Sequence, residues 1–311
     1  MTRTRSSPLP RVEFGRNTCS MRLYDVVDRS TLIADGLSSN KIQRNVRRGI
    51  WQRDRSGLYV VGPGDPEEPW RQRLALEIVW CGPNAIVSHR SAAFLHHFDN
   101  SRTEWRDVSV PRESIRRGAH IHRIDPFPES MIVSGLPVVR PEICLLQLGR
   151  YLDVDGVEVA LESALRRGLV TIESLREAMM GPSGRTEGAP VLRAALARRP
   201  IGAPPTGSFL ETQFVQTERN AHLPPMQRQV EIRDDRGNLV GRVDFGEVDL
   251  RLAVECDGNE FHGPEQLEAD RRRQNAIELL GWRFARFTYS QIMRDRSYVV
   301  SVLRSWRRLA A

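Results

Sequence analysis

The chain has 311 residues, long enough for two or three domain cores, and its 40% hydrophobic content is sufficient to fold them. Its 46 basic residues outnumber 39 acidic ones, a formal net charge of +7 that suits a polyanionic partner, with nucleic acid the natural candidate. No stretch of about 18 apolar residues occurs, nor a signal-like run after the basic start, and Cys19, Cys81, Cys144 and Cys256 have no C-x-x-C spacing. The expectation is a cytoplasmic protein with no membrane partner, disulfide framework or zinc site.

A flexible start over residues 1–20 precedes short apolar-periodic segments. Met21 to Val27 and Thr31 to Ala34 read as small helices, and Ser38 or Ser39 can cap a third that carries Lys41, Arg44, Arg47 and Arg48. Trp51 to Val61 reads as a hairpin turning near Ser56-Gly57. This order predicts a winged helix-turn-helix over 21–65, with the basic helix in a major groove and the hairpin, bearing Arg53, along the backbone. A small α/β unit with a solvated basic face is the plainer reading.

Residues 66–180 predict a middle α/β domain. Its helices are expected at Arg71 to Trp80, Arg90 to His97, Glu142 to Leu148, Val157 to Arg167 and Ile172 to Met180. Strands are expected at Ala85 to Val87, Val108 to Val110 and Ala119 to Ile124. The pairs His96-His97 and His120/His122 lack carboxylates at ligand spacing and read as ordinary surface or core histidines. Gly, Pro, Ser and Thr concentrate on both sides of a helix at Val191 to Arg198, which places a linker at 181–207.

The last domain, 208–311, is expected as a helix at Phe209 to Asn220, then strands at Gln227 to Arg233, Leu239 to Phe245 and Leu250 to Cys256. A helix at Pro264 to Leu280, a strand at Trp282 to Phe287 and a basic helix at Asp295 to Leu309 complete it. Within it, Val243-Asp244-Phe245 is followed by Val254-Glu255-Cys256-Asp257-Gly258 and then Phe261-His262. Strand alternation puts Glu255 and Asp257 on one face with Arg251, and Leu250, Leu252, Val254 and Cys256 on the other. Clustered hard carboxylates suit Mg²⁺ or Mn²⁺.

The order of elements and these residues resemble the PD-(D/E)XK nuclease superfamily, in particular the branch of the very short patch repair endonucleases and a related domain of unknown function. The resemblance covers about residues 208 to 309. It rests on Glu211, Asp244, Glu255, Asp257, His262, the Asp270-Arg271-Arg272-Arg273 segment, the Gly281-Trp282 turn and the strand Arg283 to Phe287. It implies a restriction-endonuclease-like α-β-β-β-α-β fold and metal-dependent phosphodiester hydrolysis. Asp244 and Glu255 would hold the cation with the Cys256 carbonyl, Asp257 would be a further ligand, and His262 would act as general acid or base.

Where the superfamily signature has a lysine, this chain has Asp257, and Lys41 is its single lysine. Arginine stays protonated and is a poor base. His262, a second ion on Asp257, or Gln229 positioning a water must then serve, unless the nuclease is degenerate and inactive. Each residue also has a plainer role. Ser208-x-x-Glu211 is a capping box, Asp270 and Arg273 an i, i+3 surface pair when Arg273 is not a DNA contact, and Asp257-Gly258 a turn.

Leu37 to Val61, with Val87-Ser88-His89-Arg90-Ser91-Ala92-Ala93, is similar to the antitoxin-type winged-helix domain of abortive-infection AbiEi proteins. That likeness spans residues 21 to 180 and implies DNA binding, while a toxin partner stays unknown. Two function classes follow: a DNA endonuclease guided by its basic N-terminal domain, or a non-catalytic regulator or antitoxin carrying a nuclease fold.

Overall fold

The computed structural model describes residues 22–63, 67–118, 120–258 and 264–310. The flexible start expected at 1–20 and the Phe261-His262 pair lie outside the described residues. The elements, in chain order, begin with β1 (Arg22–Leu23), β2 (Val26–Asp28), α1 (Arg29–Ala34), α2 (Ser39–Arg47), β3 (Gln52–Arg55) and β4 (Leu58–Val60). Next come α3 (Pro69–Cys81), β5 (Ile86–Val87), α4 (His89–Leu95), β6 (Val108–Pro111), β7 (Ile121–Ile124), β8 (Ser130–Val133), β9 (Leu136–Val139) and α5 (Pro141–Leu148). Helices α6 (Val154–Arg166), α7 (Ile172–Met180), α8 (Ala189–Ala197) and α9 (Phe209–Asn220) follow. The chain ends with β10 (Gln227–Arg233), β11 (Leu239–Glu247), β12 (Leu252–Asp257), α10 (Pro264–Leu279), β13 (Arg283–Thr288), α11 (Tyr289–Arg294) and α12 (Arg296–Ala310).

These elements form two compact units, residues 1–151 with 172–189 and residues 152–171 with 190–311. The division differs from the single linker expected at 181–207, and the buried acids of α6 explain why this helix belongs to the second unit. Glu158 pairs with Arg219 at 2.6 Å, and Glu162 pairs with Arg228 at 2.8 Å and Arg199 at 3.2 Å. Glu162 also accepts the Thr206 N–H at 3.1 Å. Buried carboxylates with guanidinium partners of this kind hold a helix in place because neither charge tolerates being left alone.

In the first unit, a four-stranded sheet runs β1-β2-β4-β3 and a five-stranded sheet runs β7-β6-β5-β9-β8. The helix expected over Met21 to Val27 is instead the β1–β2 hairpin, with Tyr24 and Asp25 at φ +46° and +63° forming its turn. Leu23, Val26 and Val27 are buried, so the apolar period that suggested a helix is that of a short strand pair. Segment 22–63 therefore has two helices, α1 and α2, beside a sheet, where three helices and a hairpin were expected. Both helices start on side-chain caps, Asp28 for α1 and Ser38 for α2.

The second unit carries the sheet β10-β11-β12-β13, antiparallel except for the parallel β12–β13 pair. One face packs Phe245, Leu252, Val254 and Phe287 against Phe214 of α9 and Val299 and Leu303 of α12. The other packs Val230, Ile232, Val243 and Ala253 against Ile277 of α10. Helix α10 approaches closely at Gly241, where an added Cβ would lie 3.0 Å from Ile277 and 3.1 Å from Arg273. Among the described residues, no helix is long and apolar enough to cross a membrane.

Candidate active site

Val243 and Phe245 are two residues apart on β11 yet join different cores, one on each face of the sheet. A regular strand would send them the same way. The break falls at Asp244, whose neighbour across the ladder is Gln229, a residue at φ +54° between the pairs Arg228↔Phe245 and Val230↔Val243. Positive φ in a non-glycine residue is uncommon and strained, and such strain collects at functional positions.

Gln229 turns its amide to Glu211, donating from Nε2 to Oε2 at 2.9 Å. The same oxygen accepts the Gly207 N–H at 2.6 Å, while Ser208 Oγ accepts the Glu211 N–H at 3.1 Å. The capping role expected of Ser208 and Glu211 is thus real, shifted by one residue to Gly207. An added Cβ at Gly207 would lie 2.7 Å from Glu211 Oε1 and 3.2 Å from Gln229 Nε2, so a side chain there would push these two groups aside.

Asp244 sits at the point where β11 and β12 part. Their ladder runs to Phe245↔Val254, and beyond it Cys256 N–H donates to Asp244 Oδ2 at 2.8 Å. Burial pushes the Asp244 carboxyl up to about 6, with the charges of Glu211 and Asp257 pushing the same way against the Cys256 N–H and Arg273. Glu211 is also raised, by burial that outweighs its donors at Gly207, Ser208 and Gln229. The Cys256 side chain packs beside the apolar core, and burial holds its thiol well above the ordinary range.

Glu255 is 8% exposed and holds two guanidinium groups. Arg273 Nη2 lies 2.7 Å from Oε1, and Arg286 Nη2 lies 2.8 Å from Oε2. Burial still lifts the Glu255 carboxyl, more than the two arginines lower it. Arg286 Nη1 also reaches Asp257 at 3.8 Å, and Arg273 Nη1 donates to the Arg242 carbonyl at 2.8 Å. Arg273, read from the sequence as a DNA contact or as the surface partner of Asp270, therefore points mainly at Glu255, with Asp270 at 3.5 Å. Arg251, expected on the acidic face of the strand, is a left-handed residue before β12 that donates to the Leu280 carbonyl.

The structure thus gathers Glu211, Gln229, Asp244, Cys256, Glu255 and Asp257 around the mouth of one strand pair. Arg286 was not read from the sequence as part of this group. Its signal is a charge on a strand position that alternates with the core residues Ala285 and Phe287, in a domain where an inward arginine needs an acid.

The donor set is chemically suited to Mg²⁺ or Mn²⁺: hard carboxylate oxygens, of which Asp244 is raised first by burial and then by the charges of Glu211 and Asp257, both of which a bound cation would offset. Among the described residues, no three side chains of ligand type are gathered into a ready cage, and both Glu255 oxygens face arginines. An ion would therefore engage Asp244 and Asp257 together with a Glu255 that yields one arginine partner.

Comparison with known sequences bears on this segment. Residues 224–306 match the restriction-endonuclease-like family REase_MTES_1575. The C-terminal segment is thus restriction-endonuclease-like, and the match includes Gln229, Asp244, Glu255, Asp257, Arg273 and Arg286 while leaving Glu211 outside. The chain is also similar to the uncharacterized proteins MT2308 and Rv2248 of Mycobacterium tuberculosis, strains CDC 1551 / Oshkosh and ATCC 25618 / H37Rv. Each is 26% identical over 268 residues, covering 83% of this chain and 93% of the relative. That likeness is longer than the endonuclease-like segment.

On the first unit, the basic residues expected to meet DNA are all exposed or half-exposed: Lys41, Arg44, Arg47 and Arg48 on or just after α2, and Arg53 on β3. Ile42, on the same helix, is buried against Val27, Leu32 and Tyr59, so α2 is anchored by one side and offers its charges on the other.

Proposed function

We propose that the protein is a DNA endonuclease whose C-terminal unit hydrolyses phosphodiester bonds with Mg²⁺ or Mn²⁺. The observation that carries this reading is the half-buried Asp244, crowded by Glu211 and Asp257 beside a strained Gln229, inside a restriction-endonuclease-like segment. Asp244, Glu255 and Asp257 would hold the ion, helped by the Cys256 carbonyl. Bound there, a divalent cation supplies charge for the developing phosphorane and a more acidic water.

The protein's own groups do the rest. Cys256 N–H fixes Asp244 by one oxygen, which orients the carboxylate. Gln229, held by Glu211, positions water beside it. Arg286 replaces the missing lysine as a fixed positive charge, though it cannot serve as a base. His262 would carry the proton, and the exposed charges of α2 with Arg53 would grip the phosphate backbone of the duplex. The protein would act on DNA in the cytoplasm.

A second reading, a DNA-binding regulator or antitoxin with a degenerate nuclease fold, is favoured by one observation: Arg273 and Arg286 already neutralise Glu255. Plasmid cleavage with Mg²⁺ and Mn²⁺, on the wild type and on Asp244→Asn, separates the two. The endonuclease reading expects cutting by the wild type alone, with DNA binding equal in both. No cutting with either ion, or equal cutting by both proteins, would sink it.

A further inference from the structure

The first unit holds a cavity of about 650 Å³, a size suited to a small organic ligand. It shares no residue with the acidic cluster described above. At its floor lies His89, from the Ser88-His89-Arg90 motif, at φ +50° and 5% exposed. Its backbone is held on both sides by α5: Gln147 Oε1 accepts the His89 N–H at 3.0 Å, and Cys144 Sγ donates to the His89 carbonyl at 3.4 Å. The ring lies against His122, 3.9 Å between centroids at a tilt of 36°, and its Nδ1 lies 2.9 Å from Ser88 Oγ. His122 is fixed in turn by Asp107, 3.1 Å away, both of whose oxygens accept from Arg90. A buried histidine held in a left-handed conformation by this much surrounding structure is a feature that clusters at ligand and active sites.

Gln147 is 3% exposed and lines the cavity. With its oxygen used by His89, its Nε2 has no hydrogen-bond partner among the described residues, and neither does Thr186 Oγ1, which lines the same cavity. A buried amide nitrogen left in this way is rare and calls for an acceptor. The wall that brings Thr186 here depends on direct backbone contact. An added Cβ at Gly188 would lie 2.1 Å from the Leu146 carbonyl oxygen, and one at Gly149 would lie 2.3 Å from that of Gly188.

The mouth is cationic. Arg112, Arg123 and Arg150 stand against Asp125 and Glu187. The pairs Arg112–Asp125 at 3.7 Å and Arg150–Glu187 at 3.4 Å are exposed and weak enough to be re-aimed by a ligand. Burial and the neighbouring His122 keep His89 neutral, its pKa lowered to about 3, so the floor offers hydrogen bonds and ring surface while the positive charge stays at the entrance.

We propose that this cavity binds a small organic phosphomonoester of nucleotide size, its phosphate held by Arg123 and Arg150 at the mouth and an acceptor atom of its organic part held by Gln147 Nε2. Calorimetry on the full chain with AMP, adenosine and inorganic phosphate tests this. AMP is expected to bind at least about tenfold more tightly than adenosine or phosphate, a clear difference in affinity. Gln147→Glu keeps the acceptor for the His89 N–H but removes the free donor, and should weaken AMP by about tenfold or more. The double variant Arg123→Gln/Arg150→Gln alters only the half-exposed or exposed rim, so it reports binding even if the Gln147 variant folds poorly, and should weaken AMP to the adenosine level. No heat with AMP, phosphate binding as well as AMP, or AMP affinity untouched by the rim variant would overturn the proposal.

Discussion

Arg286 stands directly beside Glu255 in the parallel β12–β13 ladder, and its Nη2 meets Glu255 Oε2 at 2.8 Å. Register pairing sets both side chains on one face, so the ion pair is built by the sheet itself, with no reliance on a flexible loop. Removing the guanidinium leaves a buried carboxylate with Arg273 alone. Arg286→Ala should lower stability by roughly 1–3 kcal/mol in urea unfolding, the cost of leaving a buried polar group without its partner. If the endonuclease reading holds, cleavage should fall by about 100-fold or more, as when a charge-stabilising donor is removed, and Arg286→Lys should recover part of it. Unchanged cleavage in Arg286→Ala would remove this residue from the proposed chemistry.

Gln229 offers a test of strain. In an ordinary strand alanine is preferred to glycine, but at φ +54° the order should invert. Gln229→Gly is expected to be more stable than Gln229→Ala by about 1 kcal/mol, the typical penalty of a left-handed residue with a Cβ. Thermal melts of the two variants decide it, and alanine melting higher would show that the backbone at this position is relaxed.

Glu218 sets a pH dependence. It is 3% exposed, and burial pushes its carboxyl up to about 8, with Arg307 pulling the other way. The folded state therefore binds a proton that the unfolded chain releases near the ordinary glutamate range. Stability contributed by the neutral carboxyl is complete below about pH 4.5 and is lost as pH rises through about 8. Urea midpoints measured from pH 5 to 9 should fall across this window, and Glu218→Gln should flatten the decline. A wild-type profile that rises with pH, with the variant running parallel to it, would contradict the assignment.

The exposed charges of α2 should show themselves in salt dependence. Replacing Arg44 and Arg47 with glutamine is expected to weaken duplex binding almost equally for all sequences, and to reduce the slope of log affinity against log salt by about 0.9 for each phosphate that is no longer neutralised. Fluorescence anisotropy between low and moderate salt measures it, and an unaltered slope would direct the search for the DNA surface elsewhere.

Local pattern carried much of the C-terminal fold. The expected helix Phe209 to Asn220 and strand Gln227 to Arg233 coincide with α9 and β10, since each begins after strong local signals: the Ser208 cap for one, a proline-containing turn for the other. The third strand was expected from Leu250, but Val248–Leu250 form a short 3-10 turn and Arg251 is left-handed, a distortion that alternation alone does not encode. Hairpin β8–β9 was not expected, although Ser134-Gly135 sits between two apolar runs, both residues at positive φ. At the candidate site, the acids were legible because they lie close together in sequence. Their arginine partners were not, because Arg273 and Arg286 meet Glu255 only once α10 and β13 have packed. The same is true of Gln147, whose unused amide becomes visible only after its oxygen is seen on His89.

The placement of α6 bears on any attempt to isolate the endonuclease-like part. A fragment starting at Ser208 would have every strand of its sheet, yet it would lack Glu158 and Glu162, leaving Arg219 and the buried Arg228 as bare cations on α9 and β10. Such a truncation should be poorly soluble and inactive for reasons unrelated to its chemistry, whereas one that begins at Leu152 retains both acids, together with residues 172–189 of the first unit.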